Sequence, residues 1–124
     1  MVEKYRSKQE ILEDRLIDFG LEVNYLLEKL PNTYLGKNIA GQITRSSTSP
    51  ALNYGEAQAA SSTRDYIHKM RIGLKELRET FVGIKFIERG KLVNDFDLIR
   101  KIKTEANELI SIYISSLNSA NKNQ

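Results

Sequence analysis

The sequence predicts an all-α protein, a single up-down-up-down four-helix bundle. Three observations lead there. Apolar residues recur at helical spacing through nearly all of the 124 residues, a period that turns one face of each helix toward a core. Only two prolines and seven glycines interrupt the pattern, and these are the residue types that break elements. No stretch alternates apolar and polar residues as a strand does, and no Asn-Gly pair marks a hairpin. Four amphipathic segments joined by short connections pack as antiparallel neighbours. The length also suits one domain.

The first helix is expected from near residue 5 to residue 30. Leu12, Leu16, Phe19, Val23, Leu26 and Leu30 alternate in steps of four and three, a heptad-like seam. Pro31 ends it, because proline disfavours the α conformation of the residue before it. The second helix spans 33–60, with Asn32 or Thr33 as N-cap. Its inward face would hold Leu35, Ile39, Gln42 or Ile43, Ser46, Ser49, Asn53 and Ala57. That face is small and polar, so it permits close approach but requires hydrogen-bond partners. Pro50 predicts a kink or local break near residues 46–50.

The third helix spans 62–89 and opens at Ser62-Thr63-Arg64-Asp65, which resembles a capping box. Its inner face reads Tyr66, Met70, Leu74, Leu77, Phe81 and Ile84, and Gly90 stops it. The fourth spans 95–118, with Asn94 as cap and Asp97 at the positive end of its dipole. Its seam is Ile99, Ile102, Ala106, Leu109, Tyr113 and Leu117. The polar tail from Asn118 to Gln124 is expected to fray.

Composition removes much of enzymology. The absence of cysteine excludes disulfides, thiolate zinc sites and cysteine nucleophiles. His68 is the only histidine, so it has no imidazole partner for a metal and is read as a packing residue. The N-terminus is charged rather than apolar, unlike a secretory signal. No run approaches the roughly 18 apolar residues of a membrane helix. A cytoplasmic protein without membrane contact is the expectation.

The hydroxyl-rich run Thr44-Arg45-Ser46-Ser47-Thr48-Ser49 lacks a G-x-S-x-G elbow, and its base would have to come from another helix. Glu-x-x-His pairs and a phosphate-binding G-x-x-x-x-G-K loop are both missing. The chain is therefore expected to be non-enzymatic and to hold no cofactor or metal. Arg45, Ser46, Ser49, Asn53 and Glu56 are read instead as a polar network that locks helix pairing.

Charge is distributed unevenly. The formal net charge is +3, yet residues 1–30 carry five basic and seven acidic side chains, and residues 61–91 carry eight and four. Arg64, Arg71, Lys75, Arg78, Lys85 and Arg89 fall within an arc of about 80° on the third helix, over about 38 Å of axis. Such a row can follow a phosphate backbone. It can also pair with acidic residues of the first helix. Ile17, Leu21 and Tyr25 lie opposite the first seam, and Ile72, Val82 and Phe86 lie off the third, which points to subunit contacts.

The stretch Gln42-Ile43-Thr44-Arg45-Ser46-Ser47-Thr48-Ser49-Pro50-Ala51-Leu52-Asn53-Tyr54-Gly55-Glu56-Ala57 resembles the signature of the bundle proteins encoded by intervening sequences of bacterial large-subunit ribosomal RNA genes. Leu30-Pro31 before it, and Arg64-Asp65-Tyr66 and Lys75-Glu76-Leu77 after it, fit as well. Ala57 stands where that signature has glycine, and Pro50 where a β-branched residue is common. The resemblance implies a left-handed four-helix bundle assembled as a homopentameric ring. The chain is also similar to the accessory protein of diversity-generating retroelements, a basic pentamer that binds nucleic acid and a reverse transcriptase. Together, residues and resemblance lead to the expectation of a homo-oligomer that binds RNA or DNA backbone through the third helix. The alternative is a scaffold whose charged helices pair between subunits or with another protein.

Overall fold

The computed structural model describes residues 6–123. Among them, four helices follow in chain order, α1 (Lys8–Leu27), α2 (Tyr34–Gln58), α3 (Thr63–Arg89) and α4 (Phe96–Lys122), with no strand. α1 packs on α2, α2 on α3, α3 on α4 and α4 on α1, whereas α1 and α3 do not meet. Cross-helix pairs fix the directions. Ser46 meets Thr80 while Glu56 meets Lys69, and Arg15 meets Glu105 while Glu22 meets Lys101. Neighbours are therefore antiparallel. The C-termini of α1 and α3 and the N-termini of α2 and α4 share one end of the bundle.

Each helix starts where a side chain can accept from free backbone N–H groups. Ser7 caps α1 in a full capping box with Glu10, a signal the sequence reading passed over. Residue 5, its expected start, lies outside the described residues. Thr33 and Ser62 cap α2 and α3. Asp95, rather than Asn94, caps α4 by accepting from the N–H of Leu98. The expected ends also move. α1 stops at Leu27, and Lys29 and Leu30 bond three residues back, tightening the last turn before Pro31. α4 continues past residue 118 to Lys122, because buried Leu117 and half-buried Ala120 anchor its last turns.

α2 runs unbroken through Pro50. The ring is buried, and Asn53 donates to the carbonyl and hydroxyl of Ser49 at 3.1 and 2.9 Å, tying the turn beyond the missing N–H. At the end of α3 the left-handed residue is Lys91 (φ 54°), not Gly90. Leu92 N–H reaches Ile87 O, and Lys91 N–H reaches Glu88 O, a Schellman closure made without glycine at its usual place.

The core is one continuous cluster. On α4 the expected seam is buried in full, and on α1 all of it but Leu30. On α2 and α3 the buried arcs are turned. α2 buries Gly36, Ser47, Pro50 and Tyr54, while Leu35 and Gln42 are exposed. α3 buries Ile67, Gly73, Thr80, Gly83 and Ile87, leaving Tyr66, Leu74 and Phe81 half-buried. Small residues account for the difference, because they contribute little to a hydropathy pattern yet pack closest. A Cβ on Gly73 would lie 2.7 Å from Cε2 of Tyr113, and one on Gly83 would run into Ile43. Close approach at these two points turns α3.

Candidate nucleic-acid interface

The candidate site begins with the turning of α3. With Met70, Leu77, Thr80 and Ile84 fully buried, the opposite arc must face outward, since each residue rotates the helix by about 100°. Arg64, Arg71, Lys75, Arg78, Lys85 and Arg89 all lie on that arc and are all exposed. None of the six forms an ion pair among the described residues. Lys85 lies over the Phe81 ring at 5.0 Å from its centroid, a contact that leaves its charge unneutralised. The expected pairing of this row with α1 within one chain does not occur. α1 and α3 sit at opposite corners.

Other cations behave differently. Arg15 of α1 donates to both carboxylate oxygens of Glu105 at 3.0 and 2.7 Å, and to Glu108 at 2.9 Å. These hydrogen bonds raise the Arg15 pKa and fix its charge. Lys69 donates to Glu56 at 2.6 Å and Lys101 pairs with Glu22 at 2.6 Å; each ammonium pKa is raised chiefly by that hydrogen bond. Lys103 donates to Glu88 at 2.7 Å. All four sit at helix seams.

The polar network read from α2 is arranged otherwise. Arg45 points to Glu79 at 3.9 Å, Glu56 to Lys69, and Asn53 back to Ser49. Arg45 and Glu56 share a face but are about 16 Å apart along the axis, at about 1.5 Å per residue, too far to meet. The buried locks are Ser46 and Ser47. Thr80 donates to the Glu76 carbonyl at 2.9 Å, so its one proton is used and Ser46 donates to it at 2.8 Å. Asn24 donates to Ser47 at 3.0 Å and to the Gly20 carbonyl at 2.7 Å. Adjacent serines thus fasten α2 to α3 and to α1. Asn24 and Thr80 were missed because each looks like a lone polar residue until its partner helix is placed.

Ile17, Leu21 and Tyr25 are exposed on α1 (44%, 66% and 57%), as are Val82 and Phe86 on α3 (48% and 54%), while Ile72 is half-buried. Val82 falls inside the basic arc and Phe86 at its edge. His68 is exposed on the same helix, so it is not the packing residue expected. No group of three His, Asp or Glu side chains among the described residues is placed to hold a metal. No described helix is long and apolar enough to cross a membrane. An apolar groove of about 580 Å³ at the end where α1 begins, lined by Leu12, Tyr54, Tyr66 and Ile112, has on its rim, among the described residues, only Arg15 and Lys8 as charged groups. Arg15 is already engaged.

Among curated proteins, none matches the chain. A crystal structure of a protein of unknown function from the S23 ribosomal protein family of Bacteroides thetaiotaomicron superposes with a TM-score of 0.77 at 28% identity. The match covers 90% of this chain and 99% of that one. The 23S rRNA-intervening sequence protein family matches residues 9–115, a span that includes the α2 signature and the whole basic row. The chain therefore belongs to the 23S rRNA-intervening sequence protein family.

Proposed function

We propose that this protein is a non-catalytic nucleic-acid-binding bundle that holds a phosphate backbone along the outer face of α3. One observation carries the reading: six exposed cations lie on one arc, and none is neutralised by a carboxylate among the described residues. Cations in that state attract polyphosphate and release its counterions, which gives salt-dependent binding with weak sequence preference. The family resemblance to a nucleic-acid-binding relative points the same way. Reversing Arg71, Arg78 and Lys85 to Glu tests it. Each lost contact is worth about fivefold at about 150 mM salt, so RNA affinity should fall at least about 100-fold. Circular dichroism should show an unchanged helix content. Unchanged RNA affinity in the folded variant contradicts the reading.

The same proposal includes self-association through Ile17, Leu21 and Tyr25, an exposed apolar row that isolated surface residues do not explain. Five chains of 14.2 kDa give about 71 kDa, the mass expected if the ring of the resemblance holds. Light scattering after size exclusion measures it, and a mass near one chain rejects self-association.

A second reading has its own observation. Glu13 and Asp18 of α1 and its C-cap Glu28 are exposed and have no ion-pair partner among the described residues, on the corner opposite the cations of α3. A neighbouring copy's α1 could then cover the row, making the protein a scaffold. In that case the charge reversal lowers the oligomer mass, and the wild type shows no RNA affinity at about 150 mM salt.

A further inference from the structure

Among the described residues, exposed aromatic rings are confined to one end of the bundle. Tyr25 near the end of α1, Tyr34 at the start of α2, Phe86 near the end of α3 and Phe96 at the start of α4 are 57%, 94%, 54% and 62% exposed. Antiparallel packing brings these four positions to the same end. The other described Tyr and Phe residues, Phe19, Tyr54, Tyr66, Phe81 and Tyr113, are buried or half-buried. One exposed ring is ordinary, but one from each helix at a single end is a pattern.

The basic row runs into this end. Lys85 and Arg89 flank Phe86 in sequence, and Lys91 follows, all exposed. Along the helix, Phe86 has Val82 and Arg89 on one side, both exposed, and on the other side Gly83 and Gly90, which carry no side chain to cover the ring. Of the carboxylates at this end, Glu88 is engaged by Lys103 and Asp95 by Lys29, while Glu28, unpaired among the described residues, stands at the end of α1, which does not touch α3. Asp97 pairs with Arg100 at 3.4 Å. Tyr25 already has Lys29 over one face at 4.7 Å, and of the other three rings Phe86 is the one on the helix that carries the basic row.

Cations beside open aromatic faces are what an unpaired nucleotide strand needs, because phosphates take the charge and bases stack on the rings. A duplex fills its own stacks and shows base edges in its grooves, so rings gain little from it. We propose that the nucleic acid is single-stranded, with its phosphates along the α3 row and an unpaired base stacked on Phe86, Tyr34 extending the platform. This rests on the proposed use of the basic row and names its ligand class.

The test is fluorescence anisotropy with a labelled, unstructured RNA of about 15 nucleotides, free or annealed to its complement. Wild type should prefer the single strand at least tenfold. Phe86→Ala should weaken single-strand binding by about 5- to 150-fold, the worth of one stacked base, and leave the duplex unchanged. Phe86→Trp should keep the affinity, and its indole emission should be quenched on binding, with no other Trp in the chain to obscure it. Equal affinity for both forms, or a silent Phe86→Ala while the triple charge reversal abolishes binding, overturns the stacking and leaves the basic row standing. A Phe86→Ala variant that loses oligomer mass but keeps single-strand affinity also overturns it, assigning the ring to subunit contact. Absence of binding to either probe by wild type overturns both proposals.

Discussion

Arg15, Lys69, Lys101 and Lys103 lie at seams between helices, each against a carboxylate at 2.6 to 2.7 Å. Arg64, Arg71, Lys75, Arg78, Lys85 and Arg89 stand outward on α3 with no such partner among the described residues. Both sets are the same chemistry in a chain of modest net charge. Position on the wheel separates them. A cation at a seam faces another helix and is fixed by it, whereas a cation opposite the core meets only what arrives from solution. Charge engaged between helices and charge open to solution can therefore be told apart by geometry alone.

That contrast can be pressed by changing neighbours on α3. Leu77 is fully buried and Arg78 is exposed beside it. Leu77→Ala removes core volume and should cost about 2–5 kcal/mol, read as a lower midpoint in urea unfolding. Below that midpoint its RNA affinity should stay unchanged. An equal loss of stability from Arg78→Ala would erase the distinction between the two faces.

Arg15→Ala addresses the seam set. It leaves Glu105, partly covered by the helices, without its bidentate partner, and should cost about 1–2 kcal/mol. RNA binding should be untouched at temperatures where the variant is folded. A drop in affinity matching that of a stripe variant places Arg15 in the wrong set.

The smallest expected effect lies inside the bundle. Tyr113 is fully buried, and its hydroxyl finds no hydrogen-bond partner among the described residues. Tyr113→Phe should leave stability unchanged or raise it by up to about 1 kcal/mol. Burial pushes the phenol pKa up, further than the neighbouring tyrosines do. The folded pKa thus lies above the unfolded value of about 10, so the neutral phenol favours the fold fully below pH 10. That contribution is lost as pH rises further, because the unfolded chain releases the proton first. The advantage of Tyr113→Phe over wild type should widen above about pH 10 in denaturant titrations. A constant difference across that range contradicts this account of the hydroxyl.

The helices and the α4 seam were legible because large apolar residues carry the period there. The faces of α2 and α3 were less so, since Gly73, Gly83, Ser47 and Thr80 are set by what the neighbouring helix brings to them. Pro50 was read by its backbone chemistry alone, and its ring instead became part of the core. The basic row needed only the wheel, because it spans the whole helix and its arc is broad. Whether that row met acidic partners depended on helix order, which places α1 diagonally across from it. The aromatic end was hidden for the same reason. Tyr25, Tyr34, Phe86 and Phe96 come together only when four helix ends are assigned to one side.

Salt titration of RNA binding tests the central claim most directly. The slope of log affinity against log salt counts the phosphates neutralised, at about 0.7 per contact on a single strand. Wild type, Arg71→Ala and Lys101→Ala should be measured side by side. The division of cations predicts a slope shallower by about 0.7 for Arg71→Ala and unchanged for Lys101→Ala. Three equal slopes, or the larger change in Lys101→Ala, would contradict it.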